Sequence, residues 1–152
     1  MKSKPILTTN RAEKGQFFTP QKIARFMARM FAERPRTLNI LDAGAGIGSL
    51  SAALIVEASQ WSPKPSAITV TAYEIDPILA EYLHITLDYC QEVCHQEEIY
   101  FEYEVIQDDF IRASVEKISG NTLFVTNKPF NSAVLNPPYK KINTSSTTRR
   151  IL

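Results

Sequence analysis

A short apolar stretch that stops at two prolines restricts this chain more than any other feature. Val134 and Leu135 are suited to a buried strand, and residues 136–139 read Asn-Pro-Pro-Tyr. Neither proline can donate a ladder hydrogen bond, so the strand is predicted to end where Asn136 begins. The prolines also stiffen the turn, which holds Asn136 and Tyr139 at the carboxyl end of a strand. Open α/β sheets bind their ligands at that edge.

The chemical groups of this turn suit a planar amine. The side-chain oxygen of Asn136 and the backbone carbonyl of Pro137 can accept the two hydrogens of an exocyclic amino group. The ring of Tyr139 can stack on the planar system that carries the amine. Pro138 keeps the corner rigid between the carbonyl and the ring.

Composition narrows the class of protein. The 152 residues are about one domain long, with 44% hydrophobic and 22% charged residues. The net charge of +1 does not indicate nucleic acid, so any basic surface must be local. No apolar run approaches the roughly 18 residues of a membrane span, and the N-terminus lacks an apolar signal core, so we expect a cytoplasmic protein. Cys90 and Cys94 have helical spacing and are predicted to face the core, since no other Cys and no suitably spaced His completes a metal site.

A glycine-rich turn follows an earlier predicted strand, residues 38–41. Residues 42–49 read Asp-Ala-Gly-Ala-Gly-Ile-Gly-Ser, and the pattern turns helical from Gly48. The bare backbone of Gly44 and Gly46, next to Ala43, would allow a ligand to approach closely. The spacing is not that of dinucleotide dehydrogenases, and no Gly-Lys-Ser/Thr ending of a phosphate loop follows. A carboxylate at Asp42 would repel phosphate, so it suits a ligand that carries an ammonium group.

Two further predicted strands also end in acids. Residues 68–72 lead to Glu74, placed to accept hydrogen bonds from ribose hydroxyls, with Ile75 beside it. Asp76 is read as the cap of a long amphipathic helix rather than as a ligand. Residues 99–106 alternate with charge on one face, as in an edge strand, and end at Asp109 and Phe110, whose ring could cover an adenine. Residues 123–125, inside a poorly readable stretch, are either a short strand or a loop insertion.

A helix is also predicted near the N-terminus. Thr19 fits its N-cap and Pro20 its first position, and Phe18 lies at the helix mouth, where N–H groups favour an anion such as a carboxylate. The packing stripe would consist of large apolar residues at helical spacing: Ile23, Phe26, Met27, Met30 and Phe31. Pro35 is predicted to end the helix.

The repeated order of strand, turn and helix, with the reactive groups after strands, predicts an α/β fold with a parallel, doubly wound sheet. Residues 1–14 are read as a flexible arm, residues 15–139 as the cofactor-binding and catalytic-loop portion, and residues 140–152 as a basic tail rich in Ser and Thr.

Taken together, these segments resemble the adenine-N6-specific DNA methyltransferases of restriction–modification systems. Residues 15–20 are similar to the family motif that contacts the methionine part of S-adenosyl-L-methionine, and residues 42–48 to its glycine-rich motif. Glu74 corresponds to the ribose-binding acid, and Asp109-Phe110 to the pair that contacts the adenine of the cofactor. The resemblance implies a Rossmann-like methyltransferase sheet with strand order 3-2-1-4.

The tetrapeptide at residues 136–139 matches the catalytic motif of that family. By this resemblance, Asn136 and Pro137 would accept the hydrogens of the target amine and Tyr139 would stack on an adenine flipped out of double-stranded DNA. The methyl group would transfer in line, without a covalent enzyme intermediate.

The family continues beyond the point where this sequence ends, at residue 152. We therefore expect a fold truncated after the catalytic turn, with the outer edge of the fourth strand unpaired. DNA recognition would come from a missing or partner-supplied domain, and activity would need a complementing chain.

Two alternatives stay open from the sequence. The chain could be a truncated, non-catalytic remnant that binds S-adenosylmethionine. It could also belong to methyltransferases that act on protein glutamine or ribosomal RNA guanine, which use a similar turn because both substrates offer a planar amine. The Phe-Phe-Thr-Pro segment before the glycine motif favours DNA adenine.

Overall fold

The computed structural model describes residues 18–119 and 129–136. The helices are α1 (Gln21–Arg29), α2 (Ser49–Ser59), α3 (Pro77–Gln96) and α4 (Phe110–Ile118). The strands are β1 (Thr37–Ala43), β2 (Ala67–Tyr73), β3 (Tyr100–Ile106) and β4 (Ser132–Val134). The predictions for the N-terminal arm, for residues 123–125, for Pro137, Pro138 and Tyr139, and for the tail fall outside these residues.

The four strands form one parallel sheet in the order β3-β2-β1-β4, which confirms the predicted order. β3 is an edge strand, as its alternating charge indicated, and its Glu102 and Glu104 are exposed. β1, β2 and β3 are each followed by a helix, as in the doubly wound α/β arrangement. Within the described residues, no helix is both long and apolar enough to cross a lipid bilayer.

The core lies between the sheet and a layer in which α2 packs against both α1 and α3. Alternate side chains of β1 and β2 enter it, and α3 contributes Cys90 and Cys94, both fully buried as predicted. Asp42 follows the same alternation as Leu38 and Ile40, so its carboxyl group faces the helical layer. An acid on the core side of a strand must find hydrogen-bond partners there.

The predicted packing stripe of α1 is wrong in part. Ile23, Phe26 and Met30 are 51%, 64% and 67% exposed, whereas Ala24 and Ala28 are buried. Small side chains allow α1 to approach α2 closely, so the helix turns its alanine face inward and its largest side chains outward.

Both ends of α1 also differ from the prediction. The helix ends at Arg29, before Pro35, and it begins at Gln21 with Pro20 in the N-cap position and no side-chain cap. The prediction of Thr19 as N-cap is therefore wrong by one residue, because the Thr19 hydroxyl has a different hydrogen-bond partner, Asn136.

The strand that precedes the Asn-Pro-Pro-Tyr turn is shorter than expected. It pairs with β1 over three residues only, from Ile40↔Ser132 to Asp42↔Val134. Val134 is buried, but Leu135 lies beyond the strand and is 47% exposed, so its predicted burial is wrong. No other described strand pairs with the outer edge of β4.

Candidate functional site

The parallel register brings the predicted site residues to one edge of the sheet. Ala43 lies opposite Tyr73, and Tyr73 opposite Ile106, so the carboxyl ends of β1, β2 and β3 are level. β4 ends level with Asp42 and places Asn136 just beyond the same edge. Groups that were separated in sequence are thus collected where open α/β sheets bind ligands.

The turn after β1 depends on its glycines. The N–H groups of Gly44 and Ala45 both donate to the carbonyl of Tyr73, at 3.0 and 2.8 Å, which ties the turn to the end of β2. Gly48 has a φ of +80°, and a Cβ there would lie 2.7 Å from Cδ1 of Leu83. Gly44 also has a positive φ, and no described atom lies within 4 Å of its Cβ position. The backbone at Gly44 is therefore open to a ligand.

Glu74 anchors this turn from the end of β2. Its side chain is almost buried, at 4% exposure. One carboxylate oxygen accepts from the N–H of Gly46 at 2.7 Å, and the other accepts from the N–H of Asp76 at 2.8 Å. Each oxygen has a second lone pair, so the carboxylate can hold the turn and still accept from a ligand hydroxyl. Asp76 itself caps α3, as predicted.

Asp42 is even more buried, at 1% exposure. The hydroxyl of Ser51, in the first turn of α2, donates to its Oδ2 at 2.6 Å, and the backbone N–H of Ser51 also donates to it. Burial raises the pKa of Asp42 to about 6, and the hydrogen bonds from Ser51 oppose that rise while the nearby charge of Glu74 adds to it. Sequence reasoning missed Ser51, because a serine inside an apolar helix gives no sign of its partner.

Asn136 is joined to the N-terminal segment. Its Nδ2 donates to Oγ1 of Thr19 at 3.0 Å, across 117 positions of sequence. Because the amide oxygen and nitrogen diverge from Cγ, this contact turns Oδ1 of Asn136 away from Thr19. Oδ1 of Asn136, one of the two oxygens predicted to accept from the target amine, is thus held in a defined direction.

These segments enclose one small cavity of about 40 Å³. The predicted site residues that line it come from three distant parts of the chain: Phe18, Thr19, Asp42, Gly44, Gly46 and Asn136. Two ring carbons of Phe18 lie 3.7 Å from the Cβ position of Gly46, so this ring covers the glycine turn. A cavity of this size admits only the narrow end of a ligand, and the rest would lie along the open edge of the sheet.

The predicted residues near the ends of β2 and β3 are not part of the lining of this cavity. Phe110 makes an edge-to-face contact with Tyr73, with ring centroids 5.2 Å apart, at the ends of β2 and β3. Asp109 accepts from the N–H groups of Ile111 and Arg112 and so caps α4, a helix that the sequence analysis did not predict. Ile75 is exposed.

A larger groove, of about 550 Å³, lies between α1, α2 and β4. It is lined mainly by apolar side chains, among them Met27, Phe31 and Leu54, and it contains none of the predicted site residues. Ligand sites need a few convergent polar groups, which the smaller cavity has. We therefore assign the candidate site to the smaller cavity.

This fold and the position of the site define the class of S-adenosylmethionine-dependent methyltransferase folds. A solved structure from Listeria monocytogenes, assigned to the class I S-adenosylmethionine-dependent methyltransferases, superposes with a TM-score of 0.53. It covers 82% of this chain and 32% of that one at 13% sequence identity, so it supports the fold alone.

The sequence comparisons define the family. The N-6 DNA Methylase family matches residues 6–150, and the chain belongs to that family. It is 37% identical to the type II methyltransferase M.PstI of Providencia stuartii over 145 residues and 39% identical to M.BsuBI of Bacillus subtilis over 149. These matches cover 95% and 96% of this chain, which spans only 27% and 28% of the two relatives.

Proposed function

We propose that this chain forms the cofactor-binding and catalytic-turn part of an enzyme that methylates the N6 amine of adenine in DNA. The main support for the proposal is that Asn136 and the glycine turn line the same cavity. Family membership supports DNA adenine over protein glutamine or ribosomal RNA guanine. The names of the two relatives support a restriction–modification context.

The described residues fit S-adenosylmethionine. The open backbone at Gly44 would admit it, the carboxylate of Glu74 would accept from its ribose hydroxyls, and Asp42 would attract its amine. Phe18 would cover its methionine part and Phe110 its adenine. When bound, this cofactor supplies an electrophilic methyl group on a sulfonium sulfur.

Asn136 would prepare the target amine for attack. With its Nδ2 bound to Thr19, its Oδ1 would accept one hydrogen of the amine, and the Pro137 carbonyl would accept the other. These hydrogen bonds would draw the nitrogen lone pair out of conjugation with the ring and toward the methyl group. Stacking on Tyr139 would contribute roughly 1–3 kcal/mol, toward the few kcal/mol needed to flip the base out of the duplex.

Because the chain spans about a quarter of its relatives, we propose that DNA recognition and turnover need further polypeptide, in the same or another chain. Tritiated methyl transfer to unmethylated DNA should then be absent for these 152 residues alone. It should appear when the remaining part of a relative is added. Transfer by the isolated chain would contradict this part of the proposal.

The chemical role of Asn136 is tested in the complemented enzyme. Asn136→Ala should abolish methyl transfer, because it removes the oxygen that accepts from the amine, and should leave calorimetric binding of S-adenosylmethionine within about threefold of wild type. No detectable binding by the wild-type chain would contradict the proposed cofactor. Full transfer by Asn136→Ala would contradict the proposed chemistry.

A further inference from the structure

The buried pair of Asp42 and Ser51 calls for an explanation beyond packing. Both side chains are at most 1% exposed, yet Asp42 also lines the candidate cofactor cavity. We propose that Ser51 is a positioning residue, which keeps the Asp42 carboxylate ionised and oriented to bind the amine of the cofactor's methionine part. This inference rests on the proposed function, since it concerns the same site.

Without Ser51, the surroundings of Asp42 would favour its neutral form. Burial penalises the charge, and the carboxylate of Glu74, at the end of β2, repels it. Among the described residues, the ones recorded around Asp42 carry no positive charge: Ser51 is its hydrogen-bond donor, Val134 its partner on β4, and Thr19 and Asn136 line the same cavity. The two donors of Ser51 are thus the contacts that lower the pKa of Asp42, and the hydroxyl is the one that a side-chain substitution removes.

The amine of the ligand sets the other limit. The α-amino group of a peptide has a pKa of about 8, and a carboxylate on the same carbon, as in a free amino acid, raises it further. An ammonium–carboxylate contact therefore forms only between the pKa of Asp42, about 6, and that of the amine. Affinity should therefore decrease on the acid side as Asp42 is protonated and on the alkaline side as the amine loses its proton. Ser51 acts on the acid side alone.

Calorimetry with S-adenosylhomocysteine between about pH 5 and pH 10 tests this role, because that ligand carries the same amine and the range extends above the peptide amine value. We call the decrease in affinity at low pH the acid limb and the decrease at high pH the alkaline limb. In Ser51→Ala the midpoint of the acid limb should shift to higher pH by about one unit or more. Binding at pH 6.5 should weaken roughly threefold or more. The alkaline limb should coincide with wild type. A purely structural role would lower affinity equally at every pH.

Ser59→Ala is the matched control. Ser59 is also a buried serine of α2, but its hydroxyl donates to the carbonyl of Val56, far from the carboxylates. Its pH profile should match that of wild type. If Ser51→Ala does not fold, Ser51→Cys keeps nearly the same volume with a weaker donor, and its acid limb should move in the same direction.

Carbon-13 NMR of the Asp42 carboxyl group in the ligand-free protein gives a second readout. Its titration should shift to higher pH in Ser51→Ala and stay in place in Ser59→Ala. If the wild-type protein binds no S-adenosylhomocysteine at any pH, the proposed function is wrong. If it binds, and the acid limb and the Asp42 titration of Ser51→Ala coincide with wild type, only the role of Ser51 is wrong.

Discussion

The floor and the rim of the candidate site are built differently. We call the two buried carboxylates the floor: Asp42, which lines the cavity, and Glu74, which anchors the glycine turn that lines it. They are 1% and 4% exposed and accept hydrogen bonds from Ser51, Gly46 and Asp76. The rim consists of Thr19 and Asn136, which are partly buried and are joined by one neutral hydrogen bond. The floor carboxylates thus hold buried backbone and side-chain donors in place, whereas the rim residues are joined to each other by a single hydrogen bond.

This difference separates two kinds of sensitivity. When a substitution leaves a buried donor or acceptor without its partner, the folded state loses stability by the full desolvation free energy of that group. Changes in the floor should therefore alter stability and binding together. Changes in the rim should alter the reacting groups with little effect on folding. The following substitutions test this contrast.

Glu74→Gln should have the largest effect. Glutamine presents one oxygen and one NH₂ group, so it cannot accept from both Gly46 and Asp76, and one buried N–H would face another donor. We expect the free energy of unfolding, measured by urea denaturation, to decrease by about 3 kcal/mol. Affinity for S-adenosylhomocysteine should decrease more than tenfold, because the glycine turn loses its anchor.

Glu81→Gln is the control for this experiment, since Glu81 is exposed on α3. Its stability should stay within about 0.5 kcal/mol of wild type. A Glu74→Gln protein as stable as this control would show that the floor does not hold the turn.

Asp42→Asn should change stability in the opposite direction. The pKa of Asp42 is raised from 3.8 to about 6 in the folded state, so the folded protein binds more protons than the unfolded chain between those values. Stability therefore decreases as pH rises from about 4 to about 6 and stays lower above that range. Asparagine does not ionise and still accepts from the Ser51 hydroxyl, so at pH 7 the variant should be more stable by on the order of 1–3 kcal/mol.

Urea denaturation at pH 4.5 and pH 7 measures this effect. The gain from Asp42→Asn should be largest at pH 7 and should shrink toward pH 4.5, while affinity for S-adenosylhomocysteine at pH 7 should decrease about tenfold or more. An equal stability change at both pH values would mean that the charge of Asp42 is not the source of the effect.

The edge of the sheet where the groups collect was predicted from local patterns in the sequence, whereas the strand order was predicted from the resemblance to a known family. Glu74 follows the end of β2 at Tyr73, and the Asn-Pro-Pro-Tyr sequence follows the short apolar run of β4. What the sequence did not predict depends on contacts between distant segments. The hydrogen bond from Ser51 to Asp42 forms only because α2 packs against β1. The burial of the alanine face of α1 depends on the close approach of α1 and α2.

Thr19 shows the same limit within the rim. Its position before Pro20 suggested a helix cap, and the resemblance of residues 15–20 to a family motif suggested a cofactor contact. The bond to Asn136 joins segments 117 residues apart, and no local pattern predicts it. Tertiary structure thus decides which of several plausible partners a hydroxyl group takes.

Thr19→Val should have the smallest effect on stability. Valine has nearly the shape of threonine, and one partly buried neutral hydrogen bond is worth about 0.5–1.5 kcal/mol, so we expect a loss of about 1 kcal/mol or less. Affinity for S-adenosylhomocysteine should stay within about twofold. The side-chain NH₂ signals of Asn136 in nitrogen-15 NMR should shift and exchange faster with solvent, because Nδ2 loses its acceptor.

Thr19→Ser keeps the hydroxyl and should restore the wild-type signals. In a complemented, active enzyme, Thr19→Val should lower kcat with little change in cofactor affinity, since Oδ1 of Asn136 would no longer be held in one direction. A tenfold loss of cofactor affinity in Thr19→Val would instead make Thr19 a direct ligand of the cofactor. In that case a change in the rim would alter cofactor binding as a change in the floor does, which would contradict the proposed difference between them.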